Sequence, residues 1–161
     1  MKAVRRSKGP TVVDLQVRNS STRKRVYRRV ELQALAEHVC TEEGAGPRAE
    51  VSLLFCDDAF IATLNRDFRH EDHATDVLSF PQPNLPAGDT VLLGDIVISL
   101  ETVETRCAGD RAAMREEIRL LFCHGLLHLL GYDHDTDDAR EDMTARQARY
   151  LGVPADAAWK E

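Results

Sequence analysis

The chain has 161 residues, 43% hydrophobic and 30% charged, which suits one water-soluble domain with a substantial core. No apolar run approaches the length of a membrane span, and the basic N-terminus lacks the apolar stretch of a secretory signal. The net charge of −6 argues against a generic nucleic-acid binder.

The charge is unevenly distributed. Residues 1–30 hold ten Lys and Arg against a single acid, Asp14, a local +9, and the rest of the chain carries −15. Such a cluster either grips a phosphate backbone or is a solvated arm with no partner. Aromatic residues make up only 6%, so no platform for stacking bases is evident. The four cysteines (Cys40, Cys56, Cys107, Cys123) form no C-x-x-C pair. They read as reduced thiols, which makes the cytoplasm the expected compartment.

Residues 1–10 read as a flexible basic leader. Val13, Leu15 and Val17 then alternate with polar residues, the period of a half-buried strand, and Asn19-Ser20-Ser21 forms a turn. Apolar residues at helical spacing predict a helix over 25–43, stopped by Gly44-Ala45-Gly46-Pro47. A second strand covers 50–56. Asp57 or Asp58 caps a helix bearing Phe60, Ile61 and Leu64, and residues 66–73 read as a charged loop. A third strand is expected at 75–80 and a proline-rich loop at 81–90. Residues 91–99 form the most β-like run, broken at Gly94-Asp95.

A short helix follows over 100–108. Asp110 then caps a long helix whose apolar residues (Met114, Ile118, Leu121, Phe122, Leu126, Leu129) lie on several sides, the mark of a buried helix. Thr136 or Asp137 caps a last helix through Met143 to Tyr150, Gly152-Val153-Pro154 ends it, and 153–161 reads as a tail. The expected architecture is a single α+β domain over 11–152. It has a four-stranded mixed sheet packed by about five helices, with a metal site at the end of the buried central helix.

That site is the stretch Cys123-His124-Gly125-Leu126-Leu127-His128-Leu129-Leu130-Gly131-Tyr132-Asp133-His134. On a helix, His124 and His128 lie about 40° apart and about 6 Å along the axis, so both imidazoles reach one ion. His134 on a continuous helix would sit about 15 Å further along and about 80° round. Gly131 removes that obstacle, because glycine adopts the left-handed conformation that ends a helix and turns the chain back. Three protein ligands leave one tetrahedral position open, the arrangement of a catalytic centre. Cys123 points about 100° away from His124, so Asp133 and Asp135 are better candidates for a fourth ligand or for a group that orients one. Asp76 and Asp95 either line the groove, or orient a histidine N–H, or simply end a turn or strand.

The block His124-Gly125-x-Leu127-His128-Leu129-x-Gly131-Tyr132-Asp133-His134 resembles the signature of the YbeY family of bacterial endoribonucleases, the rRNA maturation factors. Leu64-Asn65, Arg69, Thr75-Asp76-Val77-Leu78-Ser79-Phe80-Pro81, Gly94-Asp95-Ile96 and Met143 are similar to the supporting blocks of that family, from about Val12 to Tyr150. The resemblance implies a zinc-dependent, single-strand-specific endoribonuclease that matures the 3′ end of small-subunit 16S rRNA and serves ribosome quality control. It also implies His124, His128 and His134 as ligands of one Zn²⁺ ion and Arg69 as the arginine of the active-site groove. The implied partners are single-stranded rRNA, the small ribosomal subunit and its assembly factors, with no DNA and no membrane.

Two other functions compete. The spacing His-x-x-x-His-x-x-Gly-x-x-His is also that of metzincin peptidases, with Met143 as a candidate methionine turn. Those enzymes carry a glutamate general base right after the first histidine, where this chain has Gly125. The other is a non-catalytic, zinc-stabilised ribosome-assembly factor that docks RNA through its arginine-rich N-terminal segment.

Overall fold

A mixed sheet, its strands side by side in the order Val12–Asn19 (β1), Arg48–Cys56 (β2), Thr90–Ser99 (β5) and Val77–Pro81 (β3), organises the molecule. The computed structural model describes residues 9–83 and 86–159, so most of the expected leader, residues 1–8, lies outside them. Strands β1 (Val12–Asn19), β2 (Arg48–Cys56) and β5 (Thr90–Ser99) run parallel. β3 (Val77–Pro81) pairs antiparallel with β5, as does the two-residue β4 (Pro86–Ala87). Helices α1 (Arg29–Glu42), α2 (Asp58–Arg69), α3 (Leu100–Arg106), α4 (Arg111–Leu129) and α5 (Asp137–Leu151) complete the single α+β domain, followed by a 3₁₀ turn at Ala155–Ala157. Among the described residues no helix is long and apolar enough to cross a membrane.

Alternation along the strands divides the side chains between two cores. Leu15, Val51, Leu53, Phe55, Ile96 and Ile98 point to the large core shared with α1, α3, α4 and α5. Cys56, Leu78 and Val97 point to the other face, where Ile61 of α2 covers them. α4 is buried along its length, including Met114, Ile118, Phe122 and Leu126. Each such large apolar side chain contributes roughly 1.5–3 kcal/mol by leaving water, which holds the end of this helix rigid.

Several boundaries differ from the expected ones for identifiable reasons. α1 begins at Arg29, not at residue 25, because Arg25 adopts a left-handed conformation (φ 61°). Val26 is buried in the segment before the helix, and Tyr27 packs on Phe55 with ring centroids 4.3 Å apart. α2 runs on to Arg69 through part of the expected loop, since Phe68 extends the stripe of Phe60 and Leu64 and meets the Phe80 ring edge-on at 5.3 Å. β5 is bulged, not broken. Glu50 pairs with Leu92 but Val51 with Gly94, leaving Leu93 as the extra residue. Gly94 sits at φ +135°, and a Cβ there would lie 2.2 Å from the Phe80 carbonyl oxygen, so only glycine lets β3 come this close.

The basic N-terminal region is partly consumed by the fold. Arg23 bridges Asp57 and Glu104 at 3.1 Å each, and Arg29 donates to the Leu15 carbonyl. These two arginines tie elements together and leave less of the cluster for phosphate.

Candidate active site and metal centre

α4 ends in a hydrogen-bond pattern that aims the chain back on itself. Gly131 N–H bonds to the His128 carbonyl and Tyr132 N–H to the Leu127 carbonyl, with Gly131 at φ 102°. This is the Schellman closure that glycine permits. The half-buried Tyr132 is then anchored, its hydroxyl donating to Glu43 at 2.6 Å while the Arg146 guanidinium lies 4.6 Å over its ring. Glu43 is 5% exposed and also accepts from Tyr150 and from Arg146 at 2.8 Å. Burial pushes its carboxyl up, but the two tyrosine hydroxyls and Arg146 outweigh that and hold it below its ordinary value. An ionised carboxylate from the end of α1 thus pins the turn that delivers His134.

The three imidazoles converge as the spacing predicts. Their ring centroids are 4.6 Å (His124–His128), 5.5 Å (His124–His134) and 5.2 Å (His128–His134) apart, and one ring nitrogen from each lies within 4.8 Å of the others. His124 and His128 are half-buried and His134 is exposed. Among the described residues no carboxylate or thiol joins this group. Cys123 points into the core, where burial pushes its thiol up to about 12, the opposite of what a thiolate ligand needs.

Donor chemistry fits a cation. His124 Nε2 and His128 Nε2 are 3.1 Å apart, close to the roughly 3.4 Å edge of a tetrahedral zinc centre with Zn–N bonds of about 2.0–2.1 Å. Desolvation, the neighbouring His128 and His134 push the His124 imidazole down to about 4, and desolvation and His134 lower His128. Both are therefore neutral, as ligation requires, through the physiological range. The sign of the resulting pH effect follows. Between about pH 6.5 and 4 the unfolded chain takes up protons that the folded apoprotein refuses. Apoprotein stability is accordingly full above pH 6.5 and falls on acidification, as urea melts across that window will show, with added metal steepening the loss.

The histidines open into a cleft of about 880 Å³. Arg69, from the end of α2, lines the same cleft and is half exposed, with a loose ion pair to Glu71 at 3.9 Å. Asp133 and Asp135 stand on its rim, exposed. Asp76 lies in its wall but binds no histidine; its oxygens take the Val77 N–H at 2.7 Å and Arg106 at 2.9 Å. Asp95 is not in this cleft. It shares the face of Val97 and lines the groove beneath α2 with Arg18 and Phe60, on the far side of the sheet.

Three residues that the sequence reading passed over complete the site. Gln147 of α5 accepts from His124 Nδ1 at 2.8 Å. Trp159 packs edge-on against His124 and His134, 5.1 Å from each ring, and Arg140 lies 5.1 Å over its indole. The expected tail therefore folds back onto the histidine triad through residue 159. Its composition carries no signal of this, because the contact is made across the fold.

The position after His124 separates the candidate chemistries. Gly125 faces the sheet, and a Cβ there would already lie 3.0 Å from Ile96. A glutamate at this point would drive into the sheet and could not reach the cleft. Met143, moreover, is buried on helix α5 and forms no turn. The site has the ligand spacing of a metzincin without its base or its methionine turn.

Residues 16–153 match the family model described as Endoribonuclease YbeY. The chain belongs to the YbeY endoribonuclease family. It is 42% identical over 125 residues to Endoribonuclease YbeY of Pelotomaculum thermopropionicum, covering 75% of this chain and 82% of that one. It is 43% identical over 128 residues to that of Moorella thermoacetica, covering 74% and 82%. It is also similar to the chloroplastic Endoribonuclease YBEY of Arabidopsis thaliana, 42% identical over 67% of this chain but only 19% of that longer protein. The solution structure of TM1509 from Thermotoga maritima shares the fold, with a TM-score of 0.60 at 23% identity over 91% of this chain and 89% of that one. The YbeY match ends at residue 153, so the turn carrying Ala158 and Trp159 lies beyond it.

Proposed function

We propose that this YbeY-family chain is a zinc-dependent, single-strand-specific endoribonuclease. In this reading it acts on rRNA in the cytoplasm, at the 3′ end of small-subunit 16S rRNA and in ribosome quality control. The small subunit and its assembly factors are its partners. One observation carries the proposal: three imidazoles converge in an open cleft that also holds Arg69, with glycine where a peptidase needs its base.

His124, His128 and His134 are the residues that would hold the ion. When bound there, zinc supplies the Lewis acidity that makes a water molecule nucleophilic near neutral pH. The protein contributes the rest. Arg69 presents a planar, permanently charged fork suited to two oxygens of a phosphodiester, stabilising the charge that grows during displacement. The Gly131 turn and the Glu43–Tyr132 anchor hold the third imidazole in register. Arg140, beside Trp159 on the cleft wall, adds a second positive charge along the path of the strand.

The test is to incubate metal-loaded protein with single-stranded RNA, with duplex RNA and with casein, each with and without chelator. Chelator-sensitive cleavage of single-stranded RNA alone is the expected result. Casein cleavage would replace the reading with a peptidase, and no cleavage of any substrate would replace it with a non-catalytic assembly factor.

A further inference from the structure

We infer that Gln147, clamped by the chain end at Ala158, is a positioning residue of the metal centre that dictates which nitrogen of His124 faces the cation. The inference rests on the metal-centre reading above and goes beyond it in assigning work to α5 and to a segment past residue 153.

The argument starts from Ala158. Its backbone oxygen can only accept, so the Gln147 carboxamide group that meets it must be the NH₂. That choice turns the Gln147 oxygen toward His124, 2.8 Å from Nδ1, and an oxygen there must receive a proton. His124 therefore carries its hydrogen on Nδ1 and directs the Nε2 lone pair at the point where His128 Nε2 also arrives, 3.1 Å away. Gln147 is 1% exposed and Ala158 fully buried, so no water competes for either bond. The 3₁₀ turn fixes Ala158 in place: Ala157 N–H bonds to the Pro154 carbonyl at 3.0 Å and Ala158 N–H to the Ala155 carbonyl at 3.2 Å. Reversing the amide would set two acceptors, the Gln147 oxygen and the Ala158 carbonyl, against each other in a buried site, so the amide is held in this orientation. The chain end thus reads through Gln147 into the tautomer of a ligand. Metal-binding histidines depend on such a partner for orientation and basicity.

The neighbouring residue supplies the reporter. Trp159 is the chain's one tryptophan and packs against two of the three ligands, so its emission senses both the ion and the attachment of the chain end.

The experiment is zinc titration of the full chain against a chromophoric chelator, with tryptophan emission recorded in parallel, for wild type, Gln147→Leu and Gln147→Glu. Wild type is expected to bind one ion with a change in emission. Gln147→Leu, similar in size but unable to accept from Nδ1, is expected to remain folded by circular dichroism and to bind zinc about 10–100-fold more weakly. Gln147→Glu keeps the acceptor for His124 but loses the N–H for Ala158. It is expected to retain near-wild-type zinc affinity while the emission of the metal-free protein shifts to the red as the chain end detaches. Wild-type affinity in folded Gln147→Leu would overturn the inference, as would a Gln147→Glu protein as weak as Gln147→Leu. Should Gln147→Leu fail to fold, Gln147→Glu decides alone by the same criterion. A wild-type protein that takes up no zinc would instead sink the metal-centre reading, and this inference with it.

Discussion

His128→Ala is expected to abolish stoichiometric metal binding and to lower RNA cleavage by on the order of 10³-fold or more, since the nucleophile depends on the ion. The fold should survive. His128 lies near the end of α4, and the turn that follows is held by the backbone bonds of Gly131 and Tyr132 and by Glu43. The discriminating measurement is thermal unfolding with and without zinc. A ligand at 100 times its dissociation constant stabilises the folded state by about 2.7 kcal/mol. Wild type should show that gain and the variant none, with the two melting alike in chelator. A variant that still carried one ion per chain and cut RNA normally would disprove the three-histidine centre.

Arg69→Ala is expected to reduce kcat by about 10²–10³-fold, the usual cost of losing one group that stabilises transition-state charge, with zinc still bound. Its structural cost is small. The arginine is half exposed and its ion pair with Glu71, at 3.9 Å, contributes at most about 1 kcal/mol. Arg69→Lys keeps the charge but loses the two-pronged geometry, so it should recover only part of the rate. Parallel zinc analysis separates this variant from the histidine one. Cleavage at the wild-type rate by the zinc-loaded alanine variant would remove Arg69 from the mechanism.

What could be read in advance was what depends on near neighbours in the chain. His124 and His128 are brought together by helix geometry alone, and Gly131 announces the turn because few other residues adopt its backbone conformation. Asp110 and Thr136 cap their helices through their own side chains, accepting from Ala112 and Ala139. At the start of α2 Asp57 does occupy the N-cap position, but its carboxylate makes no cap hydrogen bond and instead takes the Thr22 N–H and Arg23.

The amino-acid order by itself therefore determined the histidine triad, through spacing within a few turns of chain, together with the family and, apart from the two-residue β4, the order of elements. Only the tertiary structure decided what faces the triad. Asp95, a candidate for the groove, stands on the far side of the sheet, because period-two alternation names two faces without saying which one carries the cleft. Gly125 lacks a side chain for a packing reason, the approach of Ile96, that only helix-on-sheet contact reveals. Gln147 and Trp159 reach His124 from 23 and 35 residues away, by the docking of α5 and the return of the chain end. Contacts of that kind are fixed by burial of surfaces distant in sequence, which no local pattern encodes.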